Sequence, residues 1–451
     1  MPPLRPLAPL AFILAAACAP AFAQDPPPAA APDVAPDARK DAQSDPINAA
    51  GASDSKVPLD EIRRYVAVYN AVKHAYVEPV DDAKLMHAAV RGLLFDLDPH
   101  SVYLDRSNAE DFEEAARGAY DGIGVELQRQ PDGTLRVIAP IDDTPATRAG
   151  IKAGDLITAI DGKSFKPDEG DSSGPLRGPP GSTVVLTIVR EGRAQPFDLT
   201  VTRETIRITS VRSRMLEPGY GYVRVSTFQA DTAADFERQL EALKTQAGGR
   251  LRGLVLDLRS NPGGLLTSAV QIADDLLDSG AIVSTRGRIA ISDAQFGATP
   301  GDRLRGAPVV VLVDAGSASA SEVLAGALRD NGRARVIGSR TFGKGSVQTV
   351  LPLDNGDSVK LTTARYYTPS GKSIQALGIV PDVVLHPAKD AENGGRAGIT
   401  EASLPGHLRG DADDPPGSNA GEVLEGDGPI TAALAELKKN VAVAPVAPAK
   451  G

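Results

Sequence analysis

Residues 309–328 read VVVLVDAGSASASEVLAGAL. Five consecutive apolar residues, Val309 to Val313, are what a strand covered on both faces requires. A turn of small residues follows. Beyond it Ala320, Val323, Leu324, Ala327 and Leu328 recur at helical spacing. Such a strand–turn–helix unit lets a small side chain in the turn stand clear of the backbone. The helix N-terminus also offers free N–H groups able to hold an oxyanion. Taken alone, serines in such a turn are more commonly just helix caps.

The same alternation continues outward. Leu254 to Leu258 is a second apolar strand, and Leu265, Ala269, Ile272, Ala273 and Leu276 mark the helix after it. Strands alternating with helices predict an α/β core over residues 204–386. Residues 118–203 are instead β-rich, with Gly and Pro punctuation and candidate strands at Gly124 to Gln130, Leu135 to Ile141, Asp155 to Ile160 and Thr183 to Val189. Residues 57–117 form a helical N-terminal region. One stripe carries Ile62, Val66, Tyr69 and Tyr76, another Met86, Val90, Leu93, Leu94 and Leu97, and Asp98-Pro99 ends the second. Residues 24–56, rich in Pro, Ala and Asp, read as a disordered linker. Residues 387–451 read as a flexible tail with a short helix bearing Ile430, Leu434 and Leu437.

Residues 1–23 have the form of an export signal: Arg5, an apolar stretch from Leu7 to Ala19, and Ala21-Phe22-Ala23 as the cleavage site. Cleavage there removes Cys18, the only cysteine, and delivers a thiol-free chain to the periplasm or the exterior. The alternative is a lipid anchor on Cys18, with peripheral membrane association. Ala15-Ala16-Ala17 lacks the large aliphatic residue usual three places before a lipidated cysteine. A net charge of −10 and 4% aromatics without Trp exclude a nucleic-acid binder.

The five histidines are at 74, 87, 100, 386 and 407, none between 101 and 385, so a Ser-His-Asp triad has no convenient base. No H-E-x-x-H and no mature cysteine supply a metal, and no cofactor is implied. Gly170 to Leu176, GDSSGPL, imitates the nucleophile loop of trypsin-like proteases. Ser173 replaces an oxyanion glycine, and the barrel such a fold needs upstream is missing, so the match is coincidence. Twenty-five residues after Ser319 stands Lys344, in TFGKGSVQ at 341–348. Glycines on either side let a lysine approach another backbone closely. Burial would favour its neutral amine, which can take a proton from serine.

SASASE at 317–322 and FGKGSVQ at 342–348, preceded by DLRSNPGG at 257–264, together resemble the carboxyl-terminal processing (tail-specific) serine proteases, over roughly residues 57–387. The resemblance implies a crotonase/ClpP-like α/β core with an inserted PDZ domain. It implies Ser319 as nucleophile, Lys344 as general base and Gln348 as the residue orienting the lysine amine. The oxyanion hole would combine Ala320 N–H with Gly263 or Gly264, a choice the sequence leaves open. Ser317 and Ser321 would be structural. Gly122, Ile123, Gly124 and Val125 resemble the carboxylate-binding loop of a PDZ domain, where a protein substrate's C-terminal tail would add as a strand. Pro167 to Pro175, where the family places a groove-walling helix, is a poor helix former. Arg177 stands where the family also tends to carry arginine, and is a candidate regulatory contact between PDZ domain and core. Two rivals are a catalytically silent PDZ adaptor, which the intact Ser319, Lys344 and Gln348 argue against, and a crotonase-like acyl-CoA enzyme, which the PDZ segment and export signal argue against. The terminal helices are candidate contacts for a homodimer.

Overall fold

The computed structural model describes residues 58–165, 174–289, 292–387, 398–411 and 421–443. The signal sequence with Cys18, the linker and Ser172 of the trypsin-like decoy lie outside them.

Helices α1 (Leu59–Ala75) and α2 (Asp82–Phe95) open the described chain. They hold each other through polar contacts, with Tyr69 and Lys73 both reaching Asp82. Their apolar stripes stay largely exposed: no residue of α1 is buried, and Leu94 alone is buried in α2. The region is also not wholly helical. Strand β1 (Val102–Leu104) precedes helix α3 (Arg106–Arg117).

Strand β2 (Ala119–Gly122) begins the inserted domain, which runs through β3 (Val125–Arg129), β4 (Leu135–Pro140), the short helix α4 (Pro145–Ala149), β5 (Leu156–Ile160), β6 (Lys163–Ser164), β7 (Thr183–Val189), β8 (Phe197–Thr202) and β9 (Glu204–Arg207). β2 pairs antiparallel with β9, so the chain leaves the domain beside the point where it came in. The other strands form one sheet in the order β3-β4-β5-β7-β8, with β6 on β5. β3 is therefore an edge. Alternate residues of β7 (Val184, Leu186 and Ile188) fill this domain's core, together with Leu135, Val137 and Ile157. That is the period-2 burial of a sheet wet on one face.

The second half contains β10 (Val211–Glu217), β11 (Tyr220–Val225), α5 (Thr232–Gln246), β12 (Gly253–Asp257), α6 (Leu266–Leu276), β13 (Ala281–Gly287), β14 (Ala294–Gly297), β15 (Val309–Val313), α7 (Ala320–Asp330), β16 (Ala334–Gly338), β17 (Ser346–Pro352), β18 (Ser358–Tyr367), β19 (Val383–Val384) and α8 (Gly428–Val443). Its main sheet runs β10-β11-β12-β15-β16-β19, parallel except between β10 and β11. Every residue of β12 and β15 is buried. The reason is cover on both faces. The cluster holding Leu254, Leu256, Val309 and Val311 packs with α5, α6 and α7 on one side. The cluster of Val255, Val310 and Leu312 meets Ile430, Ala433 and Leu437 of α8 on the other.

A second, antiparallel sheet, β1-β18-β13-β14 with β17 on β18, lies beside it. β1 belongs to this sheet, with Val102 opposite Lys360, which ties the N-terminal region to the core. The supposed tail is likewise structured where described. Glu401 is fully buried, Ala315 and Ser339 bond to Glu422, and α8 covers the main sheet. Its Gly-, Asp- and Pro-rich composition hid this, because the contacts that order it come from distant parts of the chain.

Candidate active site

Ser319 sits at the N-cap of α7 with φ 55° and ψ −114°. A non-glycine residue in this region of backbone space is strained and must be held there by its surroundings. The holding groups are close by. Ser317 Oγ donates to Leu258 O at 2.8 Å, Ser321 Oγ donates to Asn261 O at 2.9 Å, and Ala318 N donates to Asn261 O at 3.0 Å. The serine turn is thus stitched to the SNPGG turn that follows β12. Asn261 stiffens that second turn, donating to Val225 O and accepting from Gly263 N. Arg259 is buried against Asp257 beneath it, and Tyr222 Oη donates to the same carboxylate.

Gly263 has φ 103°, and a Cβ there would lie 2.9 Å from Ser319 Cβ and 3.1 Å from Ala320 N. No side chain fits between the two turns. Gly263 N is occupied by Asn261 Oδ1, whereas Gly264 N and Ala320 N find no acceptor among the described residues.

The lysine arrives from the far side. Glu322, one turn into α7, is fully buried. Its Oε2 accepts from Ser319 N at 2.7 Å and from Lys344 N at 2.9 Å. Its Oε1 accepts from Thr341 Oγ1 at 2.5 Å and Gly343 N at 2.7 Å. One carboxylate oxygen therefore joins the backbones of Ser319 and Lys344. Burial without a cationic partner pushes the Glu322 carboxyl up to about 7, against the pull of the Thr341 hydroxyl and three N–H groups. Sequence reasoning quoted this residue but assigned it nothing; S-x-x-E at a helix start reads as an ordinary capping box.

Lys344 is largely buried, and desolvation lowers its pKa below the usual lysine value. The neighbouring Lys360 lowers it further, while Glu401, Glu322 and Asp98 act in the opposite direction. Its ammonium makes no hydrogen bond or ion pair among the described residues. Burial pushes the Tyr366 phenol up to about 12, with the Ser319 side chain acting in the opposite direction. Gln348 donates from Nε2 to Ser346 Oγ at 3.0 Å and Thr362 Oγ1 at 3.2 Å. With both N–H groups engaged, its carbonyl oxygen remains for another donor. The structure thus brings the backbones of Ser319 and Lys344 onto one carboxylate oxygen, with no hydrogen bond between their side chains.

In the inserted domain a cleft of about 380 Å³ is lined by Gly122, Ile123, Gly124, Val125, Leu127, Leu135 and Leu176, with Tyr120, Arg129 and Arg177 around it. Gly124 has φ 77°, and a Cβ would strike Thr144 at 2.4 Å, so glycine is needed here. Ile123 N and Gly124 N have no acceptor among the described residues. Most of Pro167 to Pro175 lies outside those residues; Gly174–Leu176 is a single 3-10 turn. Arg177 pairs with Glu114 and, at 3.2 Å, with Asp111 of α3, and stacks over Tyr120. Its ion-pair partners are on the helix leading into the domain and not on the α/β core.

A strained serine at a strand-to-helix turn, unpaired N–H groups beside it and a desolvated lysine define a serine-type peptidase. Residues 219–385 match Peptidase family S41, 122–201 match the PDZ domain, and 33–108 match the activating protease CtpB N-terminal domain. The chain is 40% identical over 370 residues to the carboxy-terminal-processing protease of Bartonella bacilliformis, covering 81% of this chain and 85% of that one. It is 32% identical to the carboxy-terminal processing protease CtpA of Bacillus subtilis, over 79% of this chain and 76% of the relative. Among solved structures it is similar to the photosystem II D1 C-terminal processing protease, at 34% identity and TM-score 0.41, covering 71% of this chain and 86% of that one. The chain belongs to the carboxy-terminal processing proteases of peptidase family S41.

Proposed function

We propose that the chain is an exported endopeptidase that cuts proteins near their C-termini through a Ser319–Lys344 dyad on a crotonase/ClpP-like core. The observation that carries this reading is the single Glu322 oxygen that binds both Ser319 N and Lys344 N. When a substrate carbonyl enters, the Ser319 hydroxyl turns to the neutral Lys344 amine, which Gln348 orients. Ser319 Oγ attacks the carbonyl carbon and its proton passes to Lys344 Nζ. The oxyanion is held by Ala320 N–H and Gly264 N–H, Gly263 N–H being already engaged by Asn261. Collapse breaks the C–N bond, Lys344 returns the proton to the leaving amine, and water then hydrolyses the acyl-enzyme.

Tail recognition rests on the free edge of β3 and the unpaired N–H groups of Ile123 and Gly124, which suit a carboxylate on an added strand. Arg177, at the lip of that cleft, is the regulatory candidate. A bound carboxylate would compete with Glu114 and Asp111 for it and so be felt by α3. The exposed apolar faces of α1 and α2 suit a contact with a second copy. Export follows from the signal-like N-terminus.

The test is a serine-reactive phosphonate probe applied to wild type and Ser319→Ala, with the labelled peptide sequenced. Label on residues 317–322 of the wild type, absent from Ser319→Ala together with cleavage, is expected; label elsewhere overturns the assignment.

A further inference from the structure

The loop carrying Lys344 is held by more than Glu322. Phe342 O accepts from Glu401 N at 3.0 Å, and Gly343 O accepts from Ala376 N at 2.8 Å. Gly345 N donates to Gln375 Oε1 at 3.0 Å. Gln375 is itself fully buried, and its Nε2 donates to Glu401 Oε1 and Leu408 O, both at 2.9 Å. The other Glu401 oxygen lies 2.8 Å from His100 Nε2, whose N–H donates to it. Segments from three distant parts of the chain therefore converge beside the lysine: the turn after α2, the loop after β18 and residues 398–411.

A fully buried carboxylate is expensive to keep without donors on both oxygens. Glu401 has them, and its amide and Gln375 together grip the lysine loop at Phe342 and Gly345. The fit is close: a Cβ on Gly345 would lie 2.2 Å from Gln375 N, and one on Gly410 would lie 2.4 Å from Gln375 O. Nothing in the composition of residues 398–411 marks them as part of an active site.

We propose that Glu401 is a positioning residue for the peptidase reaction, holding the Lys344 loop through Gln375 with His100 as its third contact. The C-terminal segment 398–411 thereby becomes part of the support of the active site. The inference rests on Lys344 being the base. It has a consequence that simple loosening would not produce, because Glu401 is also a charge near Lys344. The charged and titratable groups around that lysine are Glu322 from α7, Asp98 and His100 from the turn after α2, Lys360 from β18 and Glu401 itself. The Glu401 carboxylate favours the ammonium form of Lys344. Its removal should slow the reaction by misplacing the lysine and, at the same time, let the lysine lose its proton at lower pH.

The experiment is a pH–rate profile of cleavage for wild type, Lys344→Arg, Glu401→Ala and Glu401→Gln. Misplacing a reacting group by about 1 Å costs up to about 10²-fold, so Glu401→Ala should lose roughly ten- to a hundredfold in plateau kcat with KM within about twofold. Its alkaline limb, the rise in rate as Lys344 loses its proton, should move to lower pH. Glu401→Gln retains size and one acceptor, so it should recover part of kcat while keeping the displaced limb. If Glu401→Ala fails to fold by circular dichroism, Glu401→Gln decides alone. Unchanged kcat, or a lower kcat with the limb unmoved, overturns the proposal. Activity in Lys344→Arg, or no alkaline limb in wild type, would instead overturn the dyad on which it rests.

Discussion

Replacing Glu322 with glutamine preserves shape while removing the carboxylate that ties the Ser319 and Lys344 backbones together. In the wild type two carboxylate oxygens accept four hydrogen bonds, from Ser319 N, Lys344 N, Thr341 Oγ1 and Gly343 N. An amide has one acceptor oxygen, so its NH₂ must face either the Ser319–Lys344 pair or Gly343 N. At least one buried N–H loses its partner, a loss of about 1–3 kcal/mol. Opposed to this is the charge. Burial raises the Glu322 carboxyl from 4.5 to about 7, so the folded state binds its proton more tightly than the unfolded chain does. The stability contributed by that proton is complete below 4.5 and is lost as pH rises through about 7. A shift of this size corresponds to ~3 kcal/mol over the window. Glutamine does not titrate, so the variant should be less stable than wild type near pH 4.5 and should gain on it by ~3 kcal/mol towards pH 8.5. Urea unfolding followed by circular dichroism across this range reads the difference. With the common tie broken, kcat should fall at least about tenfold at every pH. Parallel stability curves for the two proteins, or wild-type kcat in the variant, would refute this account of Glu322.

Other outcomes follow from the same geometry. Lys360→Met removes a cation that lowers the Lys344 pKa, so the alkaline limb of kcat/KM should move to higher pH, while Lys360→Arg leaves it in place. Gln348→Glu should move the limb the same way, because a carboxylate beside the amine favours the ammonium form; a limb that stays put in both variants rules out the electrostatic environment described. A peptide substrate with a free C-terminus should be cut faster than its C-terminal amide, roughly tenfold in kcat/KM, if the Ile123 and Gly124 N–H groups hold a carboxylate. Equal rates would remove the cleft from substrate recognition.

Much of this architecture is legible in the linear order of residues. The apolar runs at 254–258 and 309–313 became strands buried on both faces, and helices took up the 3.6-residue stripes after them. Short-range patterns suffice there because strand and helix identity are set by side-chain periodicity against one core. The motifs at 257–264, 317–322 and 342–348 likewise pointed to one reaction before their distances were known. What stayed hidden depends on closure between remote segments. Glu322 looks like a helix cap, and only the approach of a loop 22 residues away makes it the joint between the Ser319 and Lys344 backbones. Residues 398–411 have the composition of a tail, yet Glu401 is buried between His100 and Gln375. The stripes of α1 and α2 were legible as apolar, but not that the chain would leave them uncovered. A periodicity states which face of an element avoids water. Which surface meets that face, and which carboxylate reaches the lysine loop, is decided by long-range contacts whose free energy appears only when the whole chain has closed.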